Sequence, residues 1–501
     1  MPFYDINTNL PGVKKVMRSE PAAVVSSSTL LSVFAVALDP AQMRDTTDGY
    51  EACQSNTDTS AVVILASEAV NANEWAGQWV WVGSGQFSTP EVRQIVSHPS
   101  AALSASLTLT VDLPFSVAPT SGESANVRPW EDFLIPSFHS GVNDFASKFI
   151  GVDASGNLDW TNCENAFYTI VSHKANGGAG FYVVPVPLQN GASATDLTEQ
   201  FVNVWSNSVF KSRMLQLSPQ PHVLCVPKQP SLPVSLSVSQ WASVDSAMIS
   251  YATSRATDDT ADTRLREMFC VLDAPTSVLA TNVTYRTTTL NATSERAEMV
   301  MAQYLRSSQT PGSVQVVAGS PARCGIINRV SVSAPESWGH AMEGANYTQV
   351  SDCLKLVSDL SPTDQLTAIA NAIDPLVSLP GEGFWFEEAN TQAKSPSDVG
   401  ADPLEYSHIA IGRAQVWNTL QRILAAAVSE PNNAVVRSGL LARIDSVMRQ
   451  MAAKGLVAAF QSADVTSDED VGSGTARFEL AVEFNGAMRF IELTLSAAVG
   501  Q

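Results

Sequence analysis

Phe181-Tyr182-Val183-Val184-Pro185-Val186 is an apolar run without a charge, and it reads as a strand buried on both faces, the kind found inside parallel sheets. Three runs further along look the same: His222-Val223-Leu224-Cys225-Val226-Pro227, Met268-Phe269-Cys270-Val271-Leu272-Asp273 and Val314-Gln315-Val316-Val317. Between them the periodicity predicts helices over 196–210, 238–251 and 294–305. Strands alternating with helices imply a parallel α/β sheet, assigned here to residues 131–350. Gly177-Gly178-Ala179-Gly180 precedes the first of these strands, whereas a phosphate-cradling loop follows its strand and opens a helix. It reads as a turn. Asp273 closes a strand at the sheet edge where α/β sites gather, yet Ala274-Pro275 beside it favours a turn or cap role.

Towards the carboxy terminus, Val416, Trp417, Leu420, Ile423, Leu424 and Ala427 recur at helical spacing. Glu430-Pro431-Asn432-Asn433 then breaks the helix and offers an Asn cap to a second one, with Leu440, Leu441, Ile444, Val447, Met448 and Met451 as its apolar stripe and Gly455 as its stop. Phe478, Leu480, Val482 and Phe484 alternate with Arg477, Glu479, Ala481 and Glu483, and Asn485-Gly486 leads to a second run with Ile491, Leu493 and Leu495. This predicts a terminal β-hairpin, because a type I′ turn needs φ > 0 at both central residues. At the other end, residues 1–23 are polar and carry Pro2, Pro11-Gly12 and Pro21, so they read as an extended arm, and 24–45 start the core. Short β-like runs at Val62-Val63-Ile64-Leu65, Trp79-Val80-Trp81-Val82 and Leu107-Thr108-Leu109-Thr110-Val111 mark 46–130 as an inserted β-rich domain.

The 501 residues exceed one ordinary core, which stops growing near roughly 250 to 300 residues. Charged residues are only 16%, and a charge-poor surface is one that assembly tends to cover. The net charge is −20, from 29 Lys plus Arg against 49 Asp plus Glu, which speaks against nucleic acid and against a polybasic membrane patch. No apolar run reaches the ~20 residues that span a bilayer, and the amino terminus lacks a secretion-signal pattern.

Neither a phosphate loop, nor H-E-x-x-H, nor G-x-S-x-G is present, so no nucleotide, metal or other cofactor is expected, and no catalytic residue is assigned. The Trp-rich segment 75–81 fits a core or interface layer better than a sugar-stacking platform. Cys225 and Cys270 fall in apolar runs and are expected buried and reduced. Cys53, Cys163 and Cys353 stand beside polar residues in segments expected exposed, and Cys324 follows a predicted turn. These four are the candidates for disulfides between subunits in a particle released to an oxidising exterior, with unpaired thiols as the alternative.

Several ordered segments resemble the contractile tail sheath proteins of bacteriophages and related injection machines. Leu10-Pro11-Gly12-Val13 looks like the family's Pro-Gly-Val, and 144–151 resembles its "EF…FG" segment. Asn176-Gly177-Gly178 with 181–186 is similar to "NGG…YVVRV", with Pro185 where an Arg is usual. Residues 320–329 look like the "SG.VAGIIAR" turn, 406–413 like the "Y.NVRR" helix start with Gly412 in place of an Arg, and 430–433 like the "FEPN" cap. Only about 46–129 is unmatched.

The resemblance implies a multidomain α/β and α+β protein with a central α/β domain called subtilisin-like for topology alone, and a carboxy-terminal sheath core domain over 351–501. It implies a non-enzymatic subunit that polymerises with itself as hexameric rings stacked helically around a tail tube protein, capped by baseplate and tail terminator proteins. Contraction then drives the tube through a bacterial envelope to deliver a genome, the virion having been assembled in the host cytoplasm. Strand exchange between subunits is expected at Val13 and Val16 in the arm and at Phe478, Leu480, Val482, Phe484, Ile491, Leu493 and Leu495 in the hairpin. A type VI secretion sheath is the alternative within the class, although that machine divides its sheath between two chains. Outside the class stand an α/β hydrolase, which needs a convergent Ser, His and Asp, and a carbohydrate-binding protein, which needs exposed tryptophans.

Overall fold

The computed structural model describes residues 30–38, 51–66, 69–84, 87–121, 123–128, 136–150, 157–160, 163–188, 193–217, 219–257, 267–309, 312–333, 348–379, 383–393, 406–424, 430–453, 455, 457–472 and 474–484. Strand β1 (Leu31–Leu38) is followed by the inserted β region: β2 (Glu51–Ala52), β3 (Ala61–Leu65), β4 (Trp79–Ser84), β5 (Phe87–Ser97), β6 (Ser106–Val111) and β7 (Ser124–Arg128). Then come β8 (Ser137–His139), α1 (Val142–Phe149), α2 (Glu164–Ala175), β9 (Phe181–Pro187), α3 (Ala194–Ser206), α4 (Ser208–Gln216), β10 (Pro221–Cys225), α5 (Val238–Thr257) and β11 (Phe269–Asp273). A short helix α6 (Leu279–Thr284) widens into a π-turn over Tyr285–Leu290 before β12 (Ala297–Met301), β13 (Tyr304–Ser307), β14 (Val314–Val317) and α7 (Ser320–Ser333). The last part holds β15 (Lys355–Leu356), α8 (Pro362–Ala370), β16 (Asp374–Leu379), β17 (Gly383–Phe386), α9 (Ser407–Leu424), α10 (Ala434–Ala453), β18 (Val457–Asp464), α11 (Asp468–Gly472) and β19 (Phe478–Phe484).

Eight strands form the central sheet in the order β17-β16-β12-β11-β10-β1-β9-β8. Pairing is parallel from β16 to β9, and antiparallel strands β17 and β8 close its edges. The uncharged runs are explained by burial on both sides, since side chains alternate between two cores. On β1, Val33, Ala35 and Ala37 enter the core that holds Leu197, Phe201, Trp205 and Trp241 from α3 and α5. Phe34, Val36 and Leu38 enter the opposite one, with Phe145, Phe149, Ile170, Ile326 and Ile327 from α1, α2 and α7. The result is a three-layer helix–sheet–helix body.

Three expectations change here. Residues 294–305 are not helical: Ala297–Met301 is a strand buried throughout and paired in parallel with β11. Ala, Glu and Met favour helix locally, but a central slot in the sheet overrides that weak preference. Val314–Val317 belongs to a separate three-stranded antiparallel sheet, order β14-β13-β15, and is half exposed. Residues 320–329 form the start of α7 instead of a turn. Pro321 sits in its first turn, where a missing N–H leaves no helical bond unmade.

The Gly-rich turn has a steric reason. Gly177 has φ of +98°, and a Cβ there would lie 2.6 Å from Cβ of Arg329; at Gly178 it would lie 2.2 Å from Nε2 of His173. Glycine is what lets this turn press against α2 and α7.

The inserted strands make a sheet ordered β2-β7-β4-β5-β6-β3. The chain just after β2 returns to the far edge: Cys53 bridges Ile64, and Gln54 N–H donates to the Val63 carbonyl at 2.7 Å. The sheet is therefore closed into a small barrel, filled by Val62, Ile64, Val80, Val82, Ile95, Leu107, Leu109 and Val111.

Candidate functional site

Of the residues expected in strand exchange, Val13, Val16, Ile491, Leu493 and Leu495 lie outside the described residues. Phe478, Leu480, Val482 and Phe484 are on β19. Its partner is β18, with Phe460 opposite Val482 and Ser462 opposite Leu480. The sequence reading missed β18 because Val457-Ala458-Ala459-Phe460-Gln461-Ser462-Ala463-Asp464 is poor in β-branched and aromatic residues. Phe478, Leu480 and Val482 pack on a cluster of Val416, Leu420, Ile444, Val447, Met448 and Met451 from α9 and α10. Asn433 caps α10, its Oδ1 accepting from the N–H groups of Val435 and Val436 at 3.0 and 2.9 Å. Arg437 holds β18 through a 2.8 Å ion pair with Asp464. Among the described residues β18 and β19 pair only with each other.

Helix α9 fastens the ribbon's base to the central body. Asn418 Nδ2 donates to the Glu267 carbonyl at 3.2 Å, and the Glu267 N–H donates to Asn418 Oδ1 at 3.1 Å. Arg413 reaches Glu295 at 2.5 Å and Glu267 at 3.6 Å.

The hydrolase reading asked for a Ser, His and Asp in convergence, and one such set exists. Ser137 and His139 alternate on one face of β8, with Ser137 Oγ 2.6 Å from His139 Nε2. His139 Nδ1 stands 3.9 Å from Asp144 Oδ2, beyond hydrogen-bond reach, and that oxygen already accepts the Ser140 N–H at 2.8 Å. A triad needs the carboxylate to orient the imidazole and an accessible hydroxyl. Here Ser137 is 6% exposed and His139 1%, the ring enclosed by Phe145, Phe149 and Phe181. Burial lowers the His139 pKa to about 4, with nearby Asp144 opposing the shift and Lys148 adding to it, so the ring is neutral at pH 7. The set reads as core packing. Its signal in the sequence was Ser-x-His on a strand, which puts both side chains on one face.

A second polar cluster lies at the carboxyl edge of the central sheet and was not foreseen apart from Asp273. Asp273 accepts the Lys228 N–H at 3.0 Å and the Ser320 N–H at 2.8 Å, and Ser320 Oγ donates to it at 2.5 Å. It is the cap that seats α7 on the sheet. Beside it Lys228 Nζ meets Asp245 Oδ2 at 2.6 Å, and Tyr285 OH donates to the same oxygen at 2.5 Å. A third buried set, under α7, pairs Arg323 bidentately with Glu298 at 2.8 and 3.0 Å. Next to it Asp374 accepts from the Asn390 N–H and Nδ2, and burial followed by the charge of Glu298 pushes its carboxyl well above the usual range. None of these charges was marked by a local motif, because each finds its partner across the fold.

All six cysteines are buried and form no disulfide within the chain, including Cys53, Cys163 and Cys353, which stand in segments expected exposed, and Cys324, expected after a turn. Cys53 bridges two barrel strands, Cys163 adjoins α2, Cys324 is inside α7 and Cys353 packs under the three-stranded sheet; polar neighbours in sequence hid that inward orientation. Burial holds the Cys53 and Cys353 thiols up at about 12. Trp79 and Trp81 are 0% and 6% exposed and Trp75 packs beside the barrel core, so segment 75–81 presents no exposed tryptophan row to a sugar. No group of three or more His, Cys, Asp or Glu suited to a metal ion occurs among the described residues. Nor is any described helix long and apolar enough to cross a membrane.

No protein-family model and no curated protein matches this sequence. Solved structures do. The chain is similar to one in the cryo-EM structure of the anti-feeding prophage baseplate (13% identity, TM-score 0.53, covering 73% of this chain and 88% of that one). It is similar to one in the contracted helical sheath of the same particle (10% identity, TM-score 0.53, 72% and 88%). The contracted sheath complex of PVC, an extracellular contractile injection system, gives 14% identity and a TM-score of 0.51 over 72% and 86%. The mixed α/β body shares the fold of these chains of contractile particles.

Proposed function

We propose that this chain is the structural subunit of a contractile tail sheath, polymerising with itself as stacked hexameric rings around a tail tube and shortening to drive that tube through a bacterial envelope. The observation that carries this reading is the likeness, over 72% of the chain, to a subunit of a contracted helical sheath. The β18–β19 ribbon gives it a mechanism. Open edges add strands from neighbours, so main-chain hydrogen bonds link subunits while their bodies rotate. The arm over 1–23, with Val13 and Val16, and the terminal segment with Ile491, Leu493 and Leu495 supply the added strands. The central body, built around buried ion pairs, moves as a rigid unit, and contraction is a switch between two packings of such units that needs no nucleotide.

In this reading the domains divide at 24–45, 46–130, 131–350 and 351–501. The barrel is on the outside of the tube, the central body carries the subtilisin-like topology, and the last domain faces the tail tube. Baseplate and terminator proteins cap the ends. The particle is a phage virion delivering its genome. A second reading, a sheath of an extracellular injection particle, is favoured by the neighbours, which come from the anti-feeding prophage and PVC. Negative-stain electron microscopy of the purified protein tests the proposal: tubes of constant diameter support it, and only monomers or amorphous aggregate over a range of salt and concentration overturn it. The particle isolated from its source separates the two readings, by the presence or absence of a genome-filled head.

A further inference from the structure

After β10 the chain runs through Val226 and Pro227 and turns Lys228 inward beneath α5. Lys228 Nζ lies 2.6 Å from Asp245 Oδ2, and the two side chains are 2% and 1% exposed. The amine sits 4.9 Å from the ring centre of Tyr285 and 5.5 Å from that of Trp241. It also donates to the main-chain carbonyl of Asp273, which holds it in place. The Tyr285 hydroxyl donates to Asp245 Oδ2 at 2.5 Å. An amine, a carboxyl group and a proton donor on the carboxyl oxygen thus meet in a buried site walled by aromatic rings, the arrangement that amide formation requires. We propose that Lys228 and Asp245 become joined by an intramolecular isopeptide bond.

The chemistry balances without an oxidant or a co-reactant. The ammonium passes a proton to Oδ2 across the 2.6 Å contact, and the freed nitrogen lone pair attacks Cγ of Asp245. The Nζ–Cγ bond forms as the Cγ–Oδ2 bond breaks. Oδ2 takes a second proton from the nitrogen, relayed by Tyr285, and leaves as water; Oδ1 remains as the amide carbonyl, and one N–H stays on the nitrogen. The +1 and −1 charges disappear together. Burial drives this direction in two ways. It holds the Asp245 carboxyl above the carboxylate range, against the pull of Lys228 and Tyr285, which favours the protonated acid. It also makes a buried ion pair costly to keep desolvated, a cost that a neutral amide escapes. The bond would weld the segment after β10 to α5, and it stands or falls independently of the sheath reading.

Mass spectrometry of the denatured full chain tests it. The expected mass is about 18 Da, one water, below that of the sequence, and fragmentation should recover a branched peptide joining Lys228 to Asp245. Lys228→Met and Asp245→Ala should each restore the full mass, and Tyr285→Phe, which keeps the ring, should slow bond formation after refolding. Where a variant fails to fold, the wild-type peptide map decides alone. Full mass with Lys228 and Asp245 in separate linear peptides overturns the proposal. So does a water loss confined to one linear peptide, such as a succinimide at Asp245.

Discussion

The barrel and the carboxy-terminal ribbon are both built from strands of alternating polarity, and they end in opposite states. Barrel strand β6 alternates exposed Ser and Thr with buried Leu107, Leu109 and Val111, and β19 alternates Glu479 and Glu483 with Leu480 and Val482. In the barrel the Cys53–Ile64 bridge joins the two ends of the sheet, so the strands consume one another's hydrogen bonds. Among the described residues the ribbon's two strands pair only with each other, too few to close a sheet. Alternation in sequence therefore says which face is buried and nothing about how many edges stay open. Whether the sheet closes on itself decides that.

The largest effect is expected from a proline pair in β19. Adjacent residues of a strand point their N–H groups to opposite sides, so of Leu480→Pro and Ala481→Pro one strikes the ladder to β18 and the other the outer edge. The outer-edge variant should stay folded by circular dichroism and form no tubes in electron microscopy; tubes from both variants would remove the ribbon from the assembly mechanism. Next in size is Leu107→Ala inside the barrel, which is fully buried and should cost about 2 to 5 kcal/mol of local stability by denaturant titration. Tube formation should persist, since the barrel offers no edge to the lattice, and loss of tubes in a folded variant would argue that it does.

Acid should affect the central body before the ribbon. His139 and His173 have pKa values lowered to about 4 and about 3, in both cases chiefly by burial. An unfolded His titrates near ~6.5, so between pH 6.5 and those values the unfolded state binds more protons, and stability present above pH 6.5 is lost as the pH falls. Thermal melts from pH 7 to pH 4 should show that decline, and His139→Phe should flatten it. The smallest effect belongs to the ribbon's connection, where Arg477 and Ser467 hold the Asp470 carboxyl down at about 2. Its contribution is present above about pH 4 and is lost only as the pH drops towards 2. Asp470→Asn should leave the melt at pH 7 slightly lower and remove that last acid step.

The central strands were legible because burial on both faces leaves uncharged runs, and α10 was legible because Asn433 and Gly455 punctuate it locally. What escaped was set by distance in the chain. Strand β12 is helix-like in composition and became a strand by filling a gap between β11 and β16. Lys228, Asp245 and Tyr285 meet from three separate elements, and Arg323 finds Glu298 from another layer. Cys53, Cys163 and Cys353 were misplaced for the same reason, since polar neighbours along the chain say little about which side of a helix or bridge faces the core, whereas Cys225 and Cys270 are buried as expected.

The barrel ends where it begins. Its first and last strands are paired, Glu51 opposite Ala125 and Ala52 opposite Ser124. The entropy lost when a chain segment is pinned at both ends depends on the gap it must bridge and only weakly on its contour length. A module whose ends already touch therefore presents its host with the closure problem of a tight hairpin, whatever its bulk. A host so lightly burdened can gain, lose or exchange the whole module in one step, with the strands on either side left in register.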